Sequence, residues 1–168
     1  ERLRGRSRNL AQNNDYAKKF LSQVECNVVG PAGFMLQVKA EESGRPDSLA
    51  NALIEQSFAE WGRRGVCEVS GQLSFVDVQQ VVATTRARDG EALVRLIRGP
   101  ESGNRFGFAV QLLDVDRLPI GYNVDLRNGN RVVMGVEINR YGRPVAYHLH
   151  RQHPGAVPAT YAHADMER

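Results

Sequence analysis

Apolar positions recur with two different periods along this chain. Up to about residue 90 they return every three or four residues, and beyond it every second residue. Tyr16, Phe20, Val24 and Val28 make one helical stripe, widened by Ala17 and Leu21. Asn13, Asn14 and Asp15 offer its N-cap, and Gly30-Pro31-Ala32-Gly33 stops it. Phe34, Leu36 and Val38 alternate with Met35, Gln37 and Lys39, which predicts a short strand. Ala50, Ile54, Phe58 and Trp61 form a second helix, capped by Asp47 or Ser48 and ended by Gly62. Phe75, Val78, Val81, Val82 and Thr85 line a third, with Ser74 and Asp77 as a capping box and Gly90 just past its end.

After Gly90 the pattern is that of strands. Ala92 to Ile97 and Phe106 to Leu113 are joined by the turn-rich Gly99-Pro100-Glu101-Ser102-Gly103-Asn104. Asp114 to Leu118 reads as a short turn or 3₁₀ piece, and Asn128-Gly129 as a turn. From Arg131 to Pro154 the alternation predicts one β-hairpin. With Tyr141-Gly142 as a two-residue turn, Ile138 faces Val145, Val136 faces Tyr147 and Met134 faces Leu149. That register puts Glu137, His148 and His150 on the opposite, polar face. The fold class is α+β, with N-terminal helices packed on a mostly antiparallel β-sheet that ends in a C-terminal β-hairpin. The expected organisation is a basic arm or short helix over 1–13 and a single α+β domain over 14–152. That domain is helical to about 90 and a sheet over 91–152. A loop-like tail over 153–168 leads towards a C-terminal part outside this chain.

Charge adds one local feature. The 168 residues carry 22 basic and 19 acidic side chains, a net of +3. All of that excess sits in the first eight residues, where Arg2, Arg4, Arg6 and Arg8 alternate with other residues; the body is neutral. A dedicated nucleic-acid binder carries its basic face on the body, so that class loses weight. No apolar run approaches the roughly 20 residues needed to cross a bilayer, and no membrane partner is expected. Cys26 and Cys67 form no ligand cluster; a single disulfide stays open beside the favoured reading of two small buried thiols in a reducing compartment.

Candidate chemistry is sparse. His148 and His150 at i and i+2, with Glu137 diagonally across, supply three of the four ligands a zinc site wants. The competing reading is a solvated strand face. Asp114 and Asp116 resemble a metal pair, but in a turn such residues more often accept backbone N–H groups. His153 and His163 lie in loops. No Gly-x-Ser-x-Gly elbow and no Gly-Lys-Ser/Thr phosphate loop occurs, so no catalytic residue is assigned and no cofactor is expected. Arg2, Arg4, Arg6 and Arg8 are candidates for contact with nucleic acid or with a neighbouring subunit.

The order of motifs resembles the portal protein family of lambda-like tailed phages. Arg8-Asn9-Leu10-Ala11-Gln12-Asn13-Asn14-Asp15-Tyr16-Ala17 is similar to the family's opening helix, and Asn27-Val28-Val29-Gly30 to its end. Phe58-Ala59-Glu60-Trp61, Gly71, Phe75 and Gln79 resemble the middle helices. Arg88-Asp89-Gly90-Glu91-Ala92-Leu93-Val94-Arg95 resembles the helix-to-strand junction. Leu112 to Leu118, Met134-Gly135-Val136-Glu137, Gly142 to Tyr147 and His153-Pro154 complete the set. Pro31-Ala32 departs from the family's compact turn, and the tail from Val157 to His163 matches loosely. The resemblance implies the N-terminal wing region of a portal subunit, a structural and assembly protein. Implied partners are other portal subunits in a dodecameric ring, capsid and scaffold, terminase, head-tail adaptor proteins and double-stranded DNA. The implied location is the virion's capsid vertex, with the host cytoplasm during assembly. Two other classes stay open: a small metal-binding enzyme using His148, His150 and Glu137, and a nucleic-acid module using the arginine arm.

Overall fold

A computed structural model describes residues 2–156 and 166–167. The chain divides into two compact units, Glu1–Leu113 and Asp114–Arg168, where the sequence pattern drew one body over 14–152. The α+β class holds, with helices first and antiparallel strands after.

The first unit begins with α1 (Arg2–Asn13) and α2 (Asp15–Val24), hinged at Asn14, whose side chain caps α2 by accepting from the Ala17 N–H. A π-type turn, Glu25–Val29, prolongs α2 and closes on Gly30 at φ 72°. A two-residue ladder, β1 (Glu41–Glu42) with β2 (Arg45–Pro46), precedes α3 (Ser48–Trp61). Then come α4 (Phe75–Asp89), β3 (Leu93–Arg98) and β4 (Phe108–Leu113). The two strands pair antiparallel from Leu93↔Leu113 to Arg98↔Phe108.

Trp61 organises the core of this unit. Its ring stacks on Phe108 at 5.5 Å and meets Phe75 at 5.0 Å, while its indole N–H donates to the Phe108 carbonyl at 2.9 Å. An indole buries well only where that N–H finds an acceptor, so the bond fixes the approach of α3 to β4. Cys67, Val78 and Val110 close the cluster. The 62–74 loop adds a parallel bridge, with the Val110 N–H donating to Cys67 O and the Val69 N–H to Val110 O. The capping box of Ser74 with Asp77 and the left-handed Gly90 bound α4 as expected. That helix is at least partly covered on most sides, packing against α1, α2 and the π-type turn.

The 1–13 segment, expected as a basic arm or short helix, is a docked helix. Three expectations for this unit are corrected. The seam of α2 is Ala17, Leu21 and Val24, so Tyr16 and Phe20 of the expected stripe face outward, at 89% and 56% exposure. Phe34 to Lys39 is extended but pairs with no strand. Side chains take the place of a ladder there: Gln79 Oε1 accepts the Phe34 N–H, Glu55 Oε1 the Val38 N–H and Asn51 Oδ1 the Ala40 N–H. Cys67 is fully buried and burial raises its thiol pKa, but Cys26 is exposed; both are free thiols.

The second unit starts with a 3₁₀ turn, Val115–Arg117, capped by Asp114. A four-stranded meander follows in the order β5 (Val124–Asp125), β6 (Arg131–Val133), β7 (Val136–Ile138) and β8 (Pro144–Tyr147). Beyond it β9 (Leu149–His150) pairs with β10 (Met166–Glu167). The expected single strand from Val132 to Ile138 is itself a hairpin. Met134 and Gly135, at φ 52° and 80°, form a two-residue turn of the kind that needs two positive φ values. Folding back there pairs Val132 with Glu137, and both are buried. The next loop is longer than expected, because Asn139 pairs with Arg143 around Arg140-Tyr141-Gly142. A register shift follows, so Ile138 meets Pro144 and not Val145, while Val136 does face Tyr147. The apolar face read from the sequence is therefore split: Met134, Val145 and Tyr147 are each about half exposed, while Val132 and Leu149 are buried.

Two substitutions in the Met134-Gly135 turn should act with opposite sign. A β-carbon on Gly135 would lie 3.0 Å from Leu118 Cδ1 and 3.3 Å from Pro119 O, so Gly135→Ala should destabilise the protein by more than about 1 kcal/mol. Met134→Asn should stabilise it by about 0.5–1 kcal/mol, since Asn tolerates this conformation better. Urea unfolding of the two variants checks both signs.

Candidate functional site

Arg2, Arg4, Arg6 and Arg8 alternate, which on a strand would place all four on one face. On a helix each step of two turns the side chain by about 200°, so α1 sends Arg4 and Arg8 one way and Arg2 and Arg6 the other. The first pair is used within the unit. Arg8 binds the Asp89 carboxylate with two bonds of 3.0 Å, and Arg88 binds the same carboxylate with bonds of 3.0 and 2.9 Å. Arg4 pairs with Glu91, and the Ser7 hydroxyl donates to the Arg88 carbonyl. The Asp89 side chain is only 1% exposed. Burial alone would push its carboxyl up, but the hydrogen bonds from Arg88 and Arg8 outweigh burial and hold the pKa down at about 2. Arg2 and Arg6 are exposed.

The hairpin histidines divide. Glu137 is fully buried and accepts from Asn130 Nδ2 at 2.8 Å and Asn128 Nδ2 at 3.5 Å, with His148 Nε2 at 3.3 Å. The His148 ring, 13% exposed, stands edge-on to Tyr122. The predicted meeting of Glu137 with His148 is present, but on an inner face and not a solvated one. His150 does not join them. Among the described residues, the group that brings three metal-type ligand atoms together is Asp114, Asp116 and His153. The two asparagines around Gly129 were missed as partners of Glu137. Their signal was the Asn128-Gly129-Asn130 turn itself, seven residues from the carboxylate.

The Asp114, Asp116 and His153 atoms lie within 4.8 Å of one another, and His153 Nε2 is 3.8 Å from a carboxylate oxygen of each aspartate. Asp114 Oδ1 also accepts the Asp116 N–H at 2.8 Å, the capping role weighed for it above. His153 Nδ1 accepts the Gly155 N–H at 3.0 Å. An accepting Nδ1 puts the ring proton on Nε2, so the edge facing the aspartates donates and offers no lone pair to a metal. His163 lies outside the described residues. Separately, an open apolar cleft of about 640 Å³ in the first unit is lined by Val24, Val28, Phe34, Val82 and Ala83 among others.

The buried charges of this α+β chain tie its own helices and strands together, and its sequence is similar to known proteins over its whole length. The sequence profile of the phage portal proteins of the lambda family matches residues 1–168, and the chain belongs to that family. A protein of Halomonas phage phiHAP-1 described as "Probable portal protein" is 44% identical over 156 residues, or 92% of this chain. The chain spans about 30% of that relative's length.

The Asp89 clamp has a pH signature. A carboxyl lowered from 3.8 to about 2 contributes stability that is present above about pH 4 and is lost as pH falls through about 2. The size of the shift corresponds to about 2 kcal/mol. Trp61, the single tryptophan, reports on this unit. Denaturant unfolding followed by its fluorescence should show that loss between pH 4 and pH 2. Asp89→Asn should lower stability at pH 7 by about 2 kcal/mol and remove most of the acid dependence.

Proposed function

We propose that this chain is part of a portal subunit that forms a ring at one vertex of a phage capsid, the passage for double-stranded DNA during packaging and ejection. The observation that carries the reading is the 44% identity to the Halomonas phage protein over nearly the whole chain, with the family profile matching from end to end. The role is mechanical: the chain supplies shape and contact surface, and no covalent step is assigned to it. Its partners on this reading are further copies of the subunit, in a ring of twelve, together with capsid and scaffold proteins, the terminase and the head-tail adaptor. The work is done in the host cytoplasm during assembly and then in the virion.

The geometry of the arginines bears on which surface meets those partners. Arg4 and Arg8 are engaged with Glu91 and Asp89, which supports an architectural role for them. Arg2 and Arg6 are the pair that faces outward for a neighbour. The full-length subunit, purified and viewed by negative-stain microscopy, should show rings with a central hole. Monomers that persist under every assembly condition would overturn the reading.

A further inference from the structure

One wall of the apolar cleft in the first unit ends on an open strand edge. The cleft follows α4 from Phe75 to Ala87, a length of about 18 Å at about 1.5 Å per residue. Among the described residues that line it, Arg86 alone is charged, and the rest are apolar apart from Gln79. Val94 of β3 belongs to that lining and is 41% exposed, and Leu96, two residues on, is 55% exposed. Both stand on the core-facing side of the sheet. Val94 lies opposite Leu112 and Leu96 opposite Val110, and both partners pack in the Trp61 cluster. The inner face of the sheet is therefore covered at β4 and bare at β3.

The backbone of the same residues is open as well. The Val110 N–H donates to the Cys67 carbonyl at 2.8 Å, and the Val110 carbonyl accepts the Val69 N–H at 3.0 Å. Residues of an antiparallel pair exchange both bonds or neither, so Leu96, opposite Val110, points its N–H and C=O away from β4. By alternation Val94 and Arg98 point theirs the same way, while Arg95 and Ile97 bond to β4. The Gly99 N–H, donating to the Gly107 carbonyl at 2.8 Å, fixes the same phase. Among the described residues no strand pairs with that outer edge. Arg86 and Arg98 are exposed beside it. An extended peptide answers all of these features together: its backbone pairs with the edge, alternate side chains enter the cleft, and a carboxylate meets the arginines. A helix or a small apolar molecule would fill the cleft and leave the edge open.

We propose that a strand from elsewhere in the same polypeptide, outside residues 1–168, pairs with the outer edge of β3, lays apolar side chains in the cleft and turns a carboxylate towards Arg86. The chain spans about 30% of the Halomonas relative's length, so most of such a subunit lies outside these residues. A segment of the same polypeptide meets the edge at a high effective concentration. A bare apolar edge would otherwise template pairing between molecules, which finished proteins avoid by covering it. A second copy of β3 does not suit the site, because Leu93–Arg98 carries two arginines and no carboxylate. The inference uses family membership and holds whether or not the subunits close into rings.

Amide hydrogen exchange of the full-length subunit, resolved to single residues, tests the pairing without any substitution. With the edge open, Arg95 and Ile97 exchange slowly while Val94, Leu96 and Arg98 exchange fast. With the strand in place all of them are slow, the outward three by at least about a hundredfold relative to an unstructured peptide. Fast exchange at those three overturns the proposal. A benzophenone-bearing amino acid at Val94, and separately at Leu96, then identifies the occupant on illumination. The expected product keeps the mass of a single subunit, and the peptide joined to β3 maps outside residues 1–168. A doubled mass assigns the edge to a second copy, any other added mass assigns it to a different protein, and a joined peptide within 1–168 assigns it to the residues described above. Each of these overturns the proposal, as does the absence of any product at both positions.

Discussion

The Asp89 carboxylate decides the shape of the first unit. A carboxylate that has lost nearly all contact with water is unfavourable unless its lone pairs are filled, and here two guanidinium groups fill them. One comes from the adjacent residue, Arg88, and the other from Arg8, some eighty positions earlier. That second bond fixes α1 against the end of α4 and the start of β3. It also demands that α1 be helical, because Arg4 must reach Glu91 from the same face. Once α1 is docked in this way, the remaining arginines, Arg2 and Arg6, can only face outward.

Glu137 has a comparable place in the second unit. It is fully buried and held by Asn130 and His148, and it pairs across the hairpin with Val132. A one-residue slip of β7 would turn the carboxylate outward and leave Asn130 facing an apolar side chain. The polar group therefore specifies the register that the apolar alternation of this segment leaves ambiguous. Leu149 and Val115 supply the apolar burial of this unit, and Gly135 allows the close approach of Leu118 and Pro119.

What the sequence made legible was local. The capping box of Ser74 and Asp77, the stop at Gly90, the 3₁₀ turn after Asp114 and the β3–β4 pairing each depend on residues close together in the chain or on simple periodicity. What escaped depends on distant partners. Phe34 to Lys39 alternates like a strand, yet its backbone is satisfied by Asn51, Glu55 and Gln79, which no local pattern announces. Met134 and Gly135 interrupt an apparently continuous strand, and a glycine inside an alternating run was the available warning. Whether the first thirteen residues form an arm or a short helix was open for the same reason: their order comes from Asp89 and Glu91. Of the three residues weighed for zinc, Glu137 and His148 meet across the hairpin, and His150 stands apart from them. Motif order carried the family, because it samples the whole chain and does not require any single contact to be read correctly.

The central claim is that α1 is a docked helix and not a free basic arm. Amide hydrogen exchange of the full-length protein at neutral pH tests it most directly. Residues 4–13 should exchange slowly, with protection lost in Asp89→Asn. Exchange across that segment at the rate of an unstructured peptide would contradict the account.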